Sequence, residues 1–119
     1  MVAAPSDVSD FLSDADNFDG KMANETGEDS VQIKVGVGEN GYAFDPAAVK
    51  VSKGTKITWV WTGKGGSHNV DAQSGADFKS DLQSSAGSKF SYTADSTGTI
   101  TYWCQPHHTL GMKGAIVVE

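Results

Sequence analysis

The sequence predicts an all-β protein, a sandwich or barrel of short strands, preceded by one short helix. Apolar and polar residues alternate from residue 31 to residue 37, which is the period of a half-buried strand. The segment TKITWVWT is rich in β-branched and aromatic side chains, which favour strands. Turn-forming segments such as GKGG and QSSAGS separate these stretches. Many short strands with such spacing indicate packed antiparallel sheets or a barrel, and we expect strands within residues 31–37, 55–62, 88–93, 98–104 and 113–118.

A short amphipathic helix is predicted near the N-terminus. Val8, Phe11, Leu12 and Ala15 follow the spacing of one helix face. The preceding residues PSD suit a helix start, because proline is favoured in the first turn and aspartate complements the helix dipole. The sequence NFDG suits a stop after Ala15.

Charge separates the same region from the rest of the chain. Residues 1–30 contain eight acidic residues and one lysine, whereas residues 31–119 contain seven acidic residues and eight lysines. We therefore expect an acidic N-terminal segment, residues 1–30, followed by one domain, residues 31–119. The segment either packs its apolar stripe on the domain or forms a disordered tail, and the sequence leaves both alternatives open.

Composition argues against several classes of protein. The 119 residues include no arginine and carry a net charge of -6, which is unfavourable for nucleic-acid binding because phosphates are contacted by clustered lysine and arginine. No apolar run approaches the ~20 residues that span a bilayer, and residues 1–5 do not resemble a signal peptide. We expect membrane attachment only in a longer precursor. The single cysteine, Cys104, cannot form an intramolecular disulfide.

The segment YWCQPHHTLGMKG, residues 102–114, brings together three soft donor atoms. Cys104 ends a predicted strand, and His107 and Met112 follow it closely. Thiolate, imidazole and thioether groups suit copper, whereas magnesium and calcium prefer oxygen ligands. A trigonal site of two histidines and one cysteine with a long axial methionine is the blue copper arrangement. The segment therefore predicts a copper site that needs a second imidazole.

The chain contains only three histidines, His68, His107 and His108, so both imidazoles must come from this set. His68 follows the strand predicted at residues 55–62, and its loop lies beside Cys104 if the two strands end at the same pole of the domain. Adjacent side chains of an extended segment point to opposite sides, so only one of His107 and His108 readily faces the metal. Their residue type alone does not decide between them.

Four functions are compatible with this donor set. A one-electron carrier needs only the single copper site. A copper enzyme needs a further copper site, for which the chain retains one histidine, and a thiol enzyme that pairs Cys104 with His107 leaves His68 and Met112 unexplained. A copper storage or delivery protein is expected to use an exposed, exchangeable site, whereas these donors come from two separated loops. The carrier is the best match.

The pattern Cys-x2-His-x4-Met with an upstream His-Asn-Val resembles that of the plastocyanin-like blue copper proteins, the cupredoxins. The segments FDPAAVKVSKGTKITWVWTGKGGSHNV, YWCQPHHTLGMKGAIVVE and FLSDADNFDG extend the resemblance to the halocyanins of halophilic archaea, over nearly all of residues 6–119. The resemblance implies a cupredoxin-like Greek-key sandwich. It also implies one type 1 (blue) copper ion that cycles between Cu(I) and Cu(II), and no enzymatic activity.

The same resemblance assigns individual residues. Trp103 occupies a position where the family usually has tyrosine or phenylalanine, and Asn69 would link the two ligand loops through hydrogen bonds. Family proteins exchange electrons with redox partner proteins and are generally extracytoplasmic and membrane-attached, so we expect both properties here. The copper ligands implied by the resemblance are His68, Cys104, His107 and Met112.

Overall fold

A computed structural model describes all 119 residues as two β-sheets packed face to face. The chain forms ten strands, a six-residue α-helix, and a 3-10 turn at His108–Leu110 in the last loop. In chain order the elements are β1 (Val2–Ala3), α1 (Ser6–Phe11), β2 (Lys21–Asn24), β3 (Ser30–Val37), β4 (Ala43–Asp45), β5 (Ala48–Val51), β6 (Lys56–Trp61), β7 (Asp71–Ser74), β8 (Lys89–Thr93), β9 (Gly98–Trp103) and β10 (Lys113–Val118).

The two sheets are open and do not close into a barrel. The larger sheet has the strand order β1-β2-β5-β10-β9-β7, and the smaller sheet has the order β4-β3-β6-β8. Parallel pairs β3–β6 and β5–β10 connect strands that are distant in sequence. The prediction of an all-β sandwich with a short N-terminal helix is confirmed, and of the two predicted forms the sandwich is the correct one.

The core lies between the sheets because each strand turns its apolar face inward. In β3 the residues alternate between exposed and buried, with Val31, Ile33 and Val35 inside. In β6 the side chains of Trp59 and Trp61 fill the same layer and are almost completely buried. Both tryptophans are therefore core residues, as their alternation predicts.

All five predicted strands are present, with bounds within one residue of those expected. Five further strands, β1, β2, β4, β5 and β7, were not predicted. Among them, β7 has the sequence DAQS and no buried residue, and β1 has only two residues. Strand β7 is positioned by pairing with β9, and β1 by pairing with β2. Such pairing leaves no local apolar pattern in the sequence from which a strand could be predicted.

The N-terminal segment packs on the larger sheet, so the disordered-tail alternative is wrong. Helix α1 ends at Phe11, earlier than the stripe predicted, and turns then carry the chain to β2. Val8 and Leu12 are fully buried, and Ala15 is nearly so. They form a second apolar cluster with residues of the larger sheet that include Met22. The predicted apolar stripe is therefore buried, although its residues belong to a short helix and the turn that follows it.

The division of the chain at residue 30 remains a prediction.

Replacing Leu12 with alanine is expected to lower the free energy of unfolding by about 2–5 kcal/mol, because a fully buried side chain leaves a cavity. Denaturant titration measures this change. The matched control is Leu110→Ala, since Leu110 is exposed, and we expect a change within about 0.5 kcal/mol there. Equal changes in the two variants would show that the N-terminal segment adds nothing to stability.

Helix α1 has six residues and so falls well short of a membrane span.

Strands β3, β6 and β9 end at one pole of the sandwich, and the loops that follow them come together there. We call this end the metal pole and define it by residues 36–42, 62–69 and 104–112.

Candidate metal centre

The loop between β9 and β10 brings three of the predicted donors together. The Cys104 amide donates to the Met112 carbonyl at 3.0 Å, and the His107 amide donates to the Cys104 carbonyl at 3.1 Å. The Met112 amide in turn donates to the His107 carbonyl at 3.3 Å. These backbone bonds close the loop on itself, and Cys104 and Met112 are fully buried. The spacing of the motif therefore produces a compact loop that brings the backbones of its three donor residues together.

His68 approaches from the loop between β6 and β7. Its backbone exchanges two hydrogen bonds with Gln83, each 2.9 Å long. Its carbonyl accepts a hydrogen bond from the indole nitrogen of Trp61 at 3.1 Å. The residue as a whole is 1% exposed. A core tryptophan and a neighbouring segment thus fix His68 at the metal pole, as expected if β6 and β9 end together.

Three donor atoms converge within 4.8 Å of one another: nitrogen atoms of His68 and His107 and the sulfur of Cys104. The two Nδ1 atoms are 3.1 Å apart. The Cys104 Sγ atom lies 3.7 Å from the Nδ1 of His68 and 3.5 Å from that of His107. Such a cluster of two imidazoles and one thiol, with a buried methionine in the same loop, has the donor chemistry that copper prefers.

A hydrogen bond selects the tautomer of His68. Its Nε2 atom lies 2.7 Å from the carbonyl oxygen of Lys64. A carbonyl only accepts, so Nε2 carries the proton and Nδ1 keeps its lone pair. That lone pair faces Cys104 and His107. Metal-binding histidines commonly have their second nitrogen held in this way.

Burial prepares all three groups for a metal. Desolvation lowers the pKa of His68, and the nearby His107 lowers it further, whereas the hydrogen bond to Lys64 raises it. Desolvation also lowers the pKa of His107, so both imidazoles favour the neutral form that ligates metals. Burial raises the pKa of the Cys104 thiol, although hydrogen bonding to the backbone at Asn69 and His107 opposes this. The thiol therefore stays protonated until a metal displaces the proton.

His108 does not join the cluster. Its ring stacks on that of Trp103, with a centroid separation of 3.9 Å and an interplanar angle of 14°. The neighbouring His107 turns toward His68 and Cys104. The two adjacent histidines thus take different sides of the chain, and the geometry places His107 at the centre.

Asn69 links the two donor loops, as the family resemblance implies. Its side-chain oxygen accepts a hydrogen bond of 2.8 Å from the Gln105 amide. Asn69 follows His68, and Gln105 follows Cys104. The bond therefore couples the positions of the two donors through their nearest neighbours in the chain.

Two contributions to the site were not predicted from the sequence. The Tyr42 ring stacks on His107 with centroids 4.4 Å apart and meets the edge of His68 at 6.3 Å. Gly65 packs so closely that a Cβ atom there would lie 2.8 Å from the His68 Nε2 atom and 2.6 Å from the Gly41 carbonyl oxygen. The GKGG segment was recognised only as a turn, and its role in holding His68 depends on contacts across the fold.

Comparison with known proteins identifies relatives that bind copper. Residues 31–119 match the family model of copper binding proteins of the plastocyanin/azurin family. The chain is 47% identical over 113 residues to a halocyanin from Natronomonas pharaonis, covering 92% of this chain and 69% of that protein. It is 33% identical over 98 residues to a plastocyanin from Scenedesmus fuscus, covering 75% of this chain and 99% of that one.

The fold has relatives among solved structures as well. A purple cupredoxin from Nitrosopumilus maritimus superimposes with a TM-score of 0.62 at 21% identity, covering 75% of this chain and 99% of that one. This similarity confirms the cupredoxin-like fold that the sequence resemblance implies, whereas the sequence relatives and the donor cluster concern the chemistry. The chain therefore belongs to the plastocyanin/azurin family of copper-binding proteins, as a one-electron carrier with type 1 copper and not as an enzyme.

Proposed function

We propose that His68, Cys104, His107 and Met112 would hold this copper, with two imidazoles, a thiolate and a thioether as its donors. The convergence of three donor atoms within 4.8 Å is the observation that carries the proposal. Met112 is assigned by its burial and by its backbone bonds to Cys104 and His107.

Copper bound there supplies a centre that gains and loses one electron. The chain's own contribution is to hold the donors still while the charge changes. Lys64 fixes the ring of His68 through the Nε2 hydrogen bond, and Asn69 ties the two loops together. Burial of Cys104 keeps water from its sulfur. Because the donors have little freedom to rearrange, the cost of reorganisation per electron transfer is kept low.

The two adjacent histidines provide the test of the ligand set. His107→Gly removes a donor of the cluster, so we expect loss of the blue colour and of tight copper binding. His108→Gly removes only the ring stacked on Trp103, so the colour is expected to remain. Visible absorption of both copper-loaded variants shows which of the two histidines is the ligand. A colourless His108 variant beside a blue His107 variant would reverse the assignment.

We further propose that electrons pass between copper and redox partner proteins at the exposed edge of His107. This ring is partly exposed, the Tyr42 ring stacks on it, and Leu110 beyond it is 54% exposed. A redox partner can cover exposed apolar groups around a ligand without removing water from charged side chains. Weak electron-transfer complexes use small interfaces of this kind, which release quickly. From the similarity to a halocyanin, we also propose that the protein acts outside the cytoplasm.

Leu110→Glu tests this surface. A carboxylate beside the His107 edge must be desolvated on contact, so we expect slower electron self-exchange, measured by NMR line broadening between the oxidised and reduced protein. The control is Leu82→Glu, because Leu82 is similarly exposed at 57% and lies in a different loop. The visible spectrum is expected to stay unchanged in both. Unaltered self-exchange in the Leu110 variant would place the electron route elsewhere, with Trp103 as the next residue to examine.

A further inference from the structure

We propose that residues 11–15, which we call the N-terminal turn, position the copper loop from behind and so act on the metal centre itself and not on stability alone. This inference rests on the proposed ligand set. It goes beyond that set because none of these residues is a candidate ligand and none belongs to residues 31–119, which the family model matches.

The closest contact joins two backbones. Gly111, the residue before Met112, has a left-handed conformation with φ of 87°. The carbonyl oxygen of Asp14 lies directly against it, where any Cβ atom would overlap that oxygen and lie 3.4 Å from the Cα atom of Ala15. The N-terminal turn and the copper loop are thus in contact without an intervening side chain, so a shift of one backbone displaces the other.

The residue after Met112 is held by the same turn. The Nζ atom of Lys113 forms an ion pair with Asp14 at 3.0 Å. The same ammonium group lies 5.4 Å from the centre of the Phe11 ring, within the range of a cation–π contact. The Lys113 side chain is only 18% exposed. Met112 therefore sits between two residues that both contact the N-terminal turn.

A stack of rings extends this support to the other ligands. Phe11 stacks on Trp103 with centroids 6.3 Å apart, and Trp103 stacks on His108 at 3.9 Å. Trp103 precedes Cys104 in the chain, and His108 follows His107. The turn thus contacts, directly or through one ring, the chain neighbours of three of the four proposed ligands.

The turn can act as a support because it is anchored. Within the turn, Leu12 is fully buried and Ala15 nearly so, and both pack on the larger sheet. Residues that surround ligands and restrict their positions tune metal affinity, and altering them typically changes affinity by roughly 10–100-fold. We expect the copper loop without its support to release copper faster and to present a less uniform site.

The experiment compares Phe11→Ala with Val8→Ala in the copper-loaded protein. Both variants lose apolar packing of the same segment, but only Phe11 contacts Trp103 and Lys113. We expect Phe11→Ala to lose copper to a chelator roughly 10-fold faster and to change the copper hyperfine splitting in the EPR spectrum. Phe11→Tyr keeps the ring and should recover most of the wild-type rate. Val8→Ala is expected to lower the melting temperature while leaving both copper readouts as in the wild type.

A second pair of variants covers the possibility that Phe11→Ala does not fold. Lys113→Met removes the ion pair with Asp14, and Lys50→Met removes the ion pair of equal length, 3.0 Å, between Lys50 and Glu119. Only the Lys113 variant is expected to alter the EPR spectrum and the rate of copper loss. If a blue wild type shows no such difference in either pair, the inference is wrong. If the wild type itself is not blue, the proposed ligand set fails first.

Discussion

Cys104→Ser is expected to remove the blue colour completely. The colour of a type 1 site arises from charge transfer between thiolate sulfur and copper, and Cys104 is the only thiol in the chain. Serine is close in size to cysteine, so the fully buried position stays filled. We therefore expect a folded protein with weak or no copper binding, since a neutral hydroxyl is a poor substitute for a soft thiolate.

Visible absorption and metal analysis of the purified variant measure this effect. The control is Ser80→Ala, another small substitution at a buried position that lies outside the metal pole, and it should keep the colour. An intense blue band that persists in Cys104→Ser would contradict a sulfur ligand at this position.

Gly65→Ala is expected to damage the metal centre far more than Gly66→Ala. Both glycines have left-handed backbones, with φ of 86° and 84°, so alanine introduces similar strain at each. A Cβ atom at Gly66 meets nothing within 4 Å, whereas at Gly65 it collides with the Gly41 carbonyl and the His68 ring. The collision cannot be relieved by rotating a flexible side chain, because one partner is backbone and the other is a proposed ligand.

We expect Gly65→Ala to weaken copper binding by roughly 10–100-fold, the range seen when supporting groups of a metal site are altered. Gly66→Ala should lose stability of the order of 1–2 kcal/mol from backbone strain and bind copper as the wild type does. Copper affinity is measured by competition with a chelator, and stability by thermal unfolding. Equal copper affinities in the two variants would show that the close approach at Gly65 does not hold His68.

The donor residues could be predicted from the sequence because most of them lie close together in it. Cys104, His107 and Met112 lie within nine residues, and their donor atoms select copper by chemistry alone. His68 is separated from Cys104 by 36 positions, but it was the only histidine outside that segment. Choosing His107 over His108 required the family resemblance, and the structure now places only His107 beside the other donors.

The contacts that support the donors could not be predicted in this way, because they join residues that are distant in sequence. Tyr42 and His107 are distant in sequence, and nothing in the residues around Tyr42 indicates that its ring stacks on a ligand. The tyrosine could have been suspected only once β3 and β9 were known to end at the same pole.

The fold shows the same division between local pattern and distant pairing. Strands β3, β6 and β10 have buried faces that alternation or apolar content reveals. Strand β2 has one buried residue in four, and it exists because it pairs in parallel with β5. For the N-terminal segment, the apolar stripe predicted docking as one alternative, but the contact of Asp14 with Gly111 leaves no trace in sequence because it joins two backbones.

The most direct test of the central claim is metal analysis of the purified, copper-loaded protein together with its visible absorption spectrum. A single type 1 site predicts one copper ion per chain and an intense blue band in the oxidised protein, which ascorbate bleaches and reoxidation restores. A protein that binds copper without this band, or that takes up zinc and excludes copper, would contradict the account.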